Sequence, residues 1–429
     1  MHLHDIAFYV ALFFIIGIGA ASFGINIWLA LFAALVVAFT VVSPKKFAAV
    51  FILITFLGFF YFNFYTVSQS ENIPFGQESS LEGIVFRQPK HGLKSEQVDI
   101  RLNPPHEGEV RIYSEPGVRF SYGDVLEIKG VVEKSPTGRL NIASFPEITI
   151  IERGSGNILK GSLFKLRNSM ISNLNEVLPP QHAALMSGLL FGERAEFTDE
   201  FKDAMRKSGT THIVALSGYN VAIIGITLSA ILAYIVGRRK AFYASLTAIP
   251  VFVIMTGAEA SVVRAGIMGM ILLLAERQSR LYSFRNAVVL TALVMLVVNP
   301  RLLVFDIAFQ LSFAALLGIV YLYPLFKKWF SGFLEKDGIL GWRRNLFQTL
   351  SAQLAVAPII LTSFGYFSPT ALFANVLILE FVPITMLFGF LTAILGFFSF
   401  SVSLVAGWLT SIFLGYEIFV INLFSLNWL

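Results

Sequence analysis

The sequence contains no cysteine among its 429 residues, and only 14% of its residues are charged. The lack of cysteine excludes a disulfide framework and a metal site built on thiolates. The phosphate-binding loop of motor ATPases, Gly-x-x-x-x-Gly-Lys-Ser/Thr, is also missing. Of all residues in the chain, 56% are hydrophobic, and the mean hydropathy is +0.72. This composition is typical of an α-helical polytopic membrane protein and excludes an ordinary soluble domain.

The net charge of +5 suggests nucleic-acid binding at first sight. The basic residues cluster at the ends of apolar runs, however, and membrane orientation alone requires that arrangement. Net charge therefore does not decide the function.

Residues 1–66 contain three apolar runs, at about 6–23, 25–42 and 47–65. No Lys or Arg precedes the first run and no small-residue cleavage site follows it, so we expect a retained helix and not a signal peptide. Lys45 and Lys46 lie between the second and third runs and indicate that this turn is cytoplasmic. The N-terminus is then cytoplasmic, and the third helix leads out of the cell.

Residues 67–154 differ sharply from the rest, because they are polar and rich in turn residues. Five short alternating segments, at 80–86, 97–102, 109–113, 124–132 and 145–151, predict a small antiparallel barrel or sandwich. Gly130, in the middle of the fourth segment, permits sharp coiling and favours an OB-like barrel. We expect this domain to be extracytoplasmic. It has no surplus of basic residues, so its ligand is left open.

Residues 155–210 are predicted to form amphipathic and surface helices. Apolar residues repeat at helical spacing over 159–178, which predicts a helix on the membrane surface or against the barrel. Thr198 begins a further helix with acidic residues in its first turn and basic residues in its last, and Gly209 follows its end.

Residues 211–429 contain about eight more apolar runs, which brings the total to about 11 transmembrane helices. The basic stretches at 237–240, 277–285 and 327–344 fall on one side if each run crosses the membrane once. A broken or kinked helix is expected around Pro358.

Polar side chains inside these runs are costly in lipid and are functional or paired by default. The candidates for a substrate path are His212, Ser217, Asn220, Arg264, Asp306, Gln310, Gln353 and Asn375. Hydrogen bonds between helices would also explain several of them. An ion pair between Arg264 and Asp306 would be purely structural.

A serine hydrolase is disfavoured. Ser217 and Gly218 resemble the Gly-x-Ser-Gly of rhomboid proteases, but Ala215 stands at the first glycine position. That family's base follows its serine, whereas no histidine follows His212 in this chain.

A longer resemblance involves several segments in a fixed order: 185–193, 201–209, 211–218, 257–265, Asn299-Pro300, 309–314 and 358–375. Together they resemble the ComEC family, the bacterial competence channel for imported DNA, most strongly over residues 180–385. The resemblance implies an inner-membrane channel that imports single-stranded DNA during natural transformation. Arg264 would meet phosphates, while His212, Ser217, Asn220 and Gln310 would supply neutral hydrogen-bonding groups.

Two departures from the family pattern affect these expectations. Asn220 stands where the family often has histidine, and Tyr219 where it has leucine. Many members also continue into a metallo-β-lactamase-like domain, whereas this chain ends at Leu429 in an apolar run. We therefore expect no catalytic residue, metal or cofactor here. A separate nuclease, DNA receptor and motor ATPase would be partners, and a homo-oligomer is an option.

Two other functions remain open. A secondary transporter could hold a small anion on Arg264 and a proton on Asp306, although no inverted repeat is evident. A scaffold without transport would instead have a fully packed interior.

Overall fold

The computed structural model describes most of the chain. The described residues are 3–41, 48–68, 72–92, 95–117, 120–134, 140–193, 197–214, 218, 220–221, 223–225, 234, 237–277, 284–334, 342–366 and 368–426.

The N-terminal region consists of three apolar helices, α1 (Leu3–Ser22), α2 (Ile27–Val41) and α3 (Ala48–Ser68). Helices α1 and α3 pack backbone to backbone. Gly17 lies against the Thr55 carbonyl and Gly58 against the Phe14 carbonyl, so a Cβ at either glycine would collide with main chain. Small residues at membrane helix contacts permit this close approach.

The polar region folds into β1 (Glu78–Val85), β2 (Lys90–His91), β3 (Glu96–Leu102), β4 (Glu109–Ser114), β5 (Val125–Glu133), β6 (Asn141–Ser144) and β7 (Glu147–Glu152). Five of these strands close a ring in the order β1-β3-β4-β6-β5 and back to β1. Every pair in the ring is antiparallel except β4 and β6, which are parallel. The prediction of a small barrel is therefore confirmed.

One of the strands that close the ring was not predicted. The five predicted segments correspond to β1, β3, β4, β5 and β7, whereas β6 has only four residues and too short an alternation to recognise. Strand β5 pairs with β1 along one edge; along the other it pairs with β7 at its beginning and with β6 at its end. The four-residue strand β6 therefore closes the ring, whereas the six-residue strand β7 pairs with β5 beside it and does not belong to the ring.

The remaining described helices begin with α4 (Ile158–Val177), α5 (Pro180–Phe191), α6 (Asp199–Lys207) and α7 (Thr211–Val214). They continue with α8 (Arg238–Met255), α9 (Ala260–Arg277), α10 (Phe284–Val298), α11 (Leu302–Phe305), α12 (Ile307–Trp329), α13 (Ser331–Leu334), α14 (Trp342–Phe364), α15 (Ala371–Leu379), α16 (Val382–Leu395) and α17 (Phe400–Ser425). Asn157 caps α4 and Thr198 caps α6, each by accepting a hydrogen bond from a backbone amide.

Five of the described helices are long and apolar enough to cross a membrane. They are α1, α3, α12, α14 and α17, and the pair α15 and α16, bent by 53°, would be a sixth if it forms one span. Shorter apolar segments lie in α2, α9 and α10. The chain is thus mostly helical with several apolar spans, and the total of about 11 remains a prediction. Helix α14 runs through Pro358 and ends at Phe364, and a bend of 53° follows later, between α15 and α16.

Three contacts fix which helix ends lie near the barrel. Lys90 on β2 pairs with Glu259 just before α9, with Nζ 3.6 Å from Oε1. The Tyr61 hydroxyl on α3 donates to the Val297 carbonyl at the end of α10, at 2.5 Å. Arg285 at the start of α10 pairs instead with Asp5 at the start of α1, at 3.1 Å. We call the level of Glu259 and Val297 the barrel end, and the level of Asp5 and Arg285 the far end.

Candidate functional site

The side chain of Arg264 lies among helices, one turn from the start of α9. It is 9% exposed, and its Nη1 donates to the Ser312 carbonyl of α12 at 2.8 Å. Its guanidinium carbon lies 5.8 Å from the ring centroid of Phe313. Within the part of the chain that the structure describes, Nε has no hydrogen-bond partner and no ion pair includes Arg264.

Gly218 provides the space for this guanidinium. A Cβ built on Gly218 would lie 2.5 Å from Arg264 Nη2. Real Cβ atoms do not approach polar atoms so closely, so any side chain at position 218 would displace the arginine. Glycine is therefore required here for proximity and not for backbone conformation.

Asn220 attaches the same segment to α5. Its side chain is 2% exposed, and Nδ2 donates to the carbonyls of Leu189 at 3.2 Å and Ile213 at 3.4 Å. A buried amide with these partners positions the backbone around Gly218. His212 is different: it is exposed, and Nδ1 lies 3.1 Å from the Gly209 carbonyl. Ser217 lies outside the described residues.

Asp306 and Gln310 stabilise the break between α11 and α12. The Asp306 carboxylate accepts a hydrogen bond from the Phe309 amide at 2.8 Å, which caps α12. Gln310 Nε2 donates to the carbonyls of Leu303 at 3.1 Å and Val304 at 2.7 Å. The ion pair between Asp306 and Arg264, considered above, is absent from the described contacts. Arg264 instead reaches α12 through the backbone at Ser312.

The last two candidates lie on other helices. Gln353 is half-buried on α14. Asn375 on α15 is almost fully buried, and its Oδ1 has no partner among the described residues. No described contact joins either of them to Arg264. The structure thus brings together Gly218, Asn220, Arg264 and the beginning of α12, and leaves Gln353 and Asn375 apart from them.

Sequence reasoning missed a polar seam between α16 and α17. Five buried residues form it: Thr385, Thr392, Ser403, Thr410 and Glu417. Ser403 Oγ donates to the Thr392 carbonyl at 2.9 Å, and the hydroxyls of Thr392 and Thr410 lie 3.0 Å apart. Ser403, Thr410 and Glu417 recur every seven residues, and so do Thr385 and Thr392. This spacing repeats one helix face and could have been recognised in the sequence.

Glu417 is the carboxylic acid among these five seam residues, and its side chain is 1% exposed. The Thr385 hydroxyl lies 2.7 Å from Glu417 Oε1 and 3.0 Å from the Phe381 carbonyl, within donating distance of both. One hydroxyl carries one proton and cannot fully satisfy two acceptors. A protonated Glu417 would donate to Thr385, which would then donate to Phe381. Oε2 has no described partner, which a neutral carboxyl tolerates better than an ionised one.

Comparison with known proteins adds a family to this geometry. The family model described as Competence protein matches residues 189–428, more than half of the chain. The chain belongs to the competence protein family. Within it, the chain is of the ComEC type, as the resemblance predicted.

One relative in the competence family is ComE operon protein 3 of Bacillus subtilis (strain 168). It is 29% identical over 304 residues, which are 69% of this chain and 38% of the relative. The chain therefore spans well under half the length of that relative. No solved structure matches the chain. The competence match contains the Arg264 site and the α16–α17 seam, whereas the barrel and α4 precede it.

Proposed function

We propose that this protein forms a channel for the import of single-stranded DNA through the cytoplasmic membrane during natural transformation. Membership of the competence family supports the process. The observation that carries the channel role is Arg264, a buried cation held by one described hydrogen bond to a carbonyl.

The energetics of Arg264 support a functional role. An arginine at the centre of a membrane helix costs about 2.5–3.5 kcal/mol on insertion scales, which is the upper bound for Arg264 one turn into α9. A single carbonyl and the ring of Phe313 compensate part of that cost, and Nε has no described partner. A DNA phosphate offers the bidentate acceptor that a guanidinium prefers. The neutral amides of Asn220 and Gln310 are already bonded to backbone, so they would shape the path and not bind the strand strongly.

The barrel supports an entrance for the strand. Its ring order, with a single parallel pair, is consistent with an OB-like fold, a frequent platform for single-stranded nucleic acid. The guanidinium carbons of Arg87 and Arg101 lie 5.1 and 5.0 Å from the ring centroid of Phe86. An aromatic ring beside two cations is suited to contact with bases and phosphates.

The distribution of basic residues supports an extracytoplasmic barrel. The far end contains Arg239, Lys240, Arg277, Arg285, Lys327 and Lys328, by the direction of the helices that carry them. The positive-inside rule assigns such an end to the cytoplasm. The N-terminus would then be cytoplasmic. A DNA receptor, a motor ATPase and a nuclease activity would act together with this channel, and a homo-oligomer remains an option.

The small-anion transporter is less well supported. That function would use Asp306 as a proton site, but the Asp306 carboxylate already caps α12 through the Phe309 amide. A proton there would weaken the helix cap.

The test is DNA uptake by cells that carry Arg264→Ala or Arg264→Lys, with the protein level in the membrane controlled. We expect Arg264→Ala to lower uptake about 10- to 100-fold, because a charge-assisted hydrogen bond contributes about 1.5–3 kcal/mol. Arg264→Lys keeps the charge but loses the planar fork, so its uptake should be intermediate. Arg285→Ala, which removes an arginine from the exposed pair with Asp5, is the matched control. Wild-type uptake in both Arg264 variants would remove this residue from the mechanism.

A further inference from the structure

Helix α4 is too polar to be counted among the apolar spans, yet it packs beside them. Near its start, Lys160 Nζ donates to the Phe86 carbonyl of the barrel at 2.9 Å, and the Phe164 and Tyr122 rings meet edge to face at 5.2 Å. Toward its end, Asn173 Nδ2 donates to the Ala393 carbonyl of α16 at 2.9 Å.

The depth of the α4 C-terminus can be placed from its contact with α17, once the depth of the end of α17 is known. The Thr370 hydroxyl contacts the Phe424 carbonyl, near the end of α17, and the Lys207 carbonyl, at the end of α6. These groups therefore lie at one level, immediately before Gly209.

Thr370 lies at the barrel end. Helix α12 runs from the barrel end to the far end, and α14 packs antiparallel to it, because Phe326 lies 5.8 Å from Phe347 between ring centroids and Gly318 lies against Ser351 and Ala355. Helix α14 therefore ends toward the barrel end, where Thr370 follows it, and the C-terminal end of α17 lies at the same level.

The far end of α4 can now be placed. Val177 packs against Gly407, 17 residues before Phe424 in α17. At 1.5 Å per residue, Gly407 lies about 25 Å further from the barrel end. Helix α4 begins at the barrel and ends at this depth, so it runs alongside the apolar helices through most of their length.

One face of α4 is exposed and hydrophilic at this depth. Beyond the first turn of α4, where Ile158 and Leu159 are also exposed, its residues are Ser162, Lys165, Leu166, Asn168, Ser169, Ser172, Asn175 and Glu176, and Leu166 is the single apolar member of that part. The exposed face of α17 has the opposite character, with Val405, Trp408, Ile412 and Phe419. In lipid, the lysine alone would cost about 2.5–3.5 kcal/mol near the bilayer centre. The α4 face therefore does not suit lipid.

We propose that the hydrophilic face of α4 lines a water-filled passage that leads from the barrel to the far end. Its hydroxyls and amides would hydrogen-bond to water and to a passing polymer without retaining it, as a conduction path requires. The charges of Lys165 and Glu176 are opposite, so the face does not trap a polyanion. That the strand follows this passage rests on the proposed function; the passage itself does not.

The absence of cysteine makes the test direct, because every introduced thiol is the sole thiol of the protein. The variants are Ser169→Cys and Ser172→Cys on the α4 face, with Ile412→Cys, at a position 68% exposed on α17, as the lipid-facing control. Each full-length protein is expressed in membranes, its level is measured, and a charged, membrane-impermeant methanethiosulfonate is applied. Only ionised thiols in water react readily, so the α4 thiols should react at least about tenfold faster than the thiol at position 412.

Two results would overturn the passage. One is labelling of both α4 thiols as slow as that at position 412, since it would indicate that this face contacts lipid. The other is efficient disulfide cross-linking between copies through position 172, which would show that a second copy covers the face. A single-stranded oligonucleotide should slow the labelling at positions 169 and 172. Fast labelling that the oligonucleotide leaves unchanged would preserve the passage and count against the proposed DNA channel.

Discussion

The barrel and the apolar helices α9 and α17 bury charged side chains with different partners, whereas Arg167 on the hydrophilic helix α4 is held in an ion pair with Glu193 at 2.8 Å. In the barrel, Asp99 is 6% exposed, and Arg111 binds both of its oxygens, at 2.8 and 3.0 Å. Arg87 adds a third hydrogen bond at 3.1 Å. Among the helices, Arg264 has one described bond to a carbonyl and Glu417 one to a hydroxyl, and neither has an ion pair among the described residues.

The difference separates a structural charge from charges that suggest function. A buried carboxylate held by two arginines has its partners in place, and removing one partner is what destabilises such a group. Arg264 and Glu417 carry polar atoms whose partners the described residues do not supply. Such groups persist where water, a proton or a substrate completes them. The comparison predicts different outcomes when each charge is changed.

The largest effect is expected for Glu417→Lys. A cation at this position would face the Thr385 hydroxyl without an anion in the described seam, and the loss of stability should be about 3–5 kcal/mol, as for a broken buried pair. Glu417→Gln should be tolerated, because its amide can donate to Thr385 as a protonated carboxyl does. Membrane level and thermal unfolding in detergent would measure both. If the glutamine variant were as unstable as the lysine variant, Glu417 would need its negative charge and the protonated state would be wrong.

A smaller loss is expected for Asp99→Asn in the barrel. The amide cannot balance Arg111 and Arg87, but both arginines are partly exposed, at 28% and 51%, so the loss should be about 1–3 kcal/mol and not the full value of a buried pair. Hydrogen exchange of β3 in the full-length protein would measure it. Glu147→Gln, on exposed β7, is the control and should change little. Equal protection in both variants would show that the three side chains do not stabilise the barrel.

The same carboxylate gives the barrel a dependence on pH. Burial alone raises the pKa of Asp99, but the hydrogen bonds and charges of Arg111 and Arg87 outweigh it and hold the pKa below its ordinary value of 3.8. A lowered pKa in the folded state contributes stability above pH 3.8, and that stability is lost as the pH falls through the lower value. Proteolysis of the barrel in the intact protein should therefore accelerate below about pH 4. Asp99→Asn should flatten that profile. An unchanged acid profile would assign the loss to other groups.

The smallest effect on stability is expected for Gly218→Ala. The added methyl would displace Arg264 Nη2, the far end of a flexible side chain, while alanine would favour the helix by up to about 1 kcal/mol. Membrane level should thus be unchanged or higher, whereas DNA uptake should fall several-fold. Gly269→Ala on the same helix as Arg264, where the nearest atom to the added Cβ is 3.6 Å away, is the control. Normal uptake in Gly218→Ala would show that the position of this guanidinium does not matter.

Much of the architecture could be predicted from the sequence because its signals are local. Apolar runs, the alternation in β1, β3, β4 and β5, and the cap at Thr198 each depend on neighbouring residues. The competence family could be recognised because several sequence segments occur in the order expected for it. Strand β6 was missed because four residues carry little alternation, and its place depends on distant β4 and β5.

The site was harder to predict because its geometry is tertiary. The sequence indicated Arg264 and Asp306 as polar residues at depth, and an ion pair between them was a reasonable hypothesis. In the structure, Asp306 caps α12 and Arg264 donates to a carbonyl of α12. No local sequence pattern could distinguish this arrangement from an ion pair between the two residues. Glu417 was overlooked although it lies in a long apolar run, and the seven-residue repeat of its seam was present in the sequence.

The central claim is that polar groups among the helices form a path for a single strand of DNA. Its most direct test is the passage of a fluorescent single-stranded oligonucleotide into liposomes that contain the purified full-length protein, with a strand gradient or a membrane potential as driving force. We expect entry that Arg264→Ala lowers about 10- to 100-fold and that Arg285→Ala leaves unchanged. Flux of small anions without the oligonucleotide, or oligonucleotide entry that does not depend on Arg264, would contradict the account.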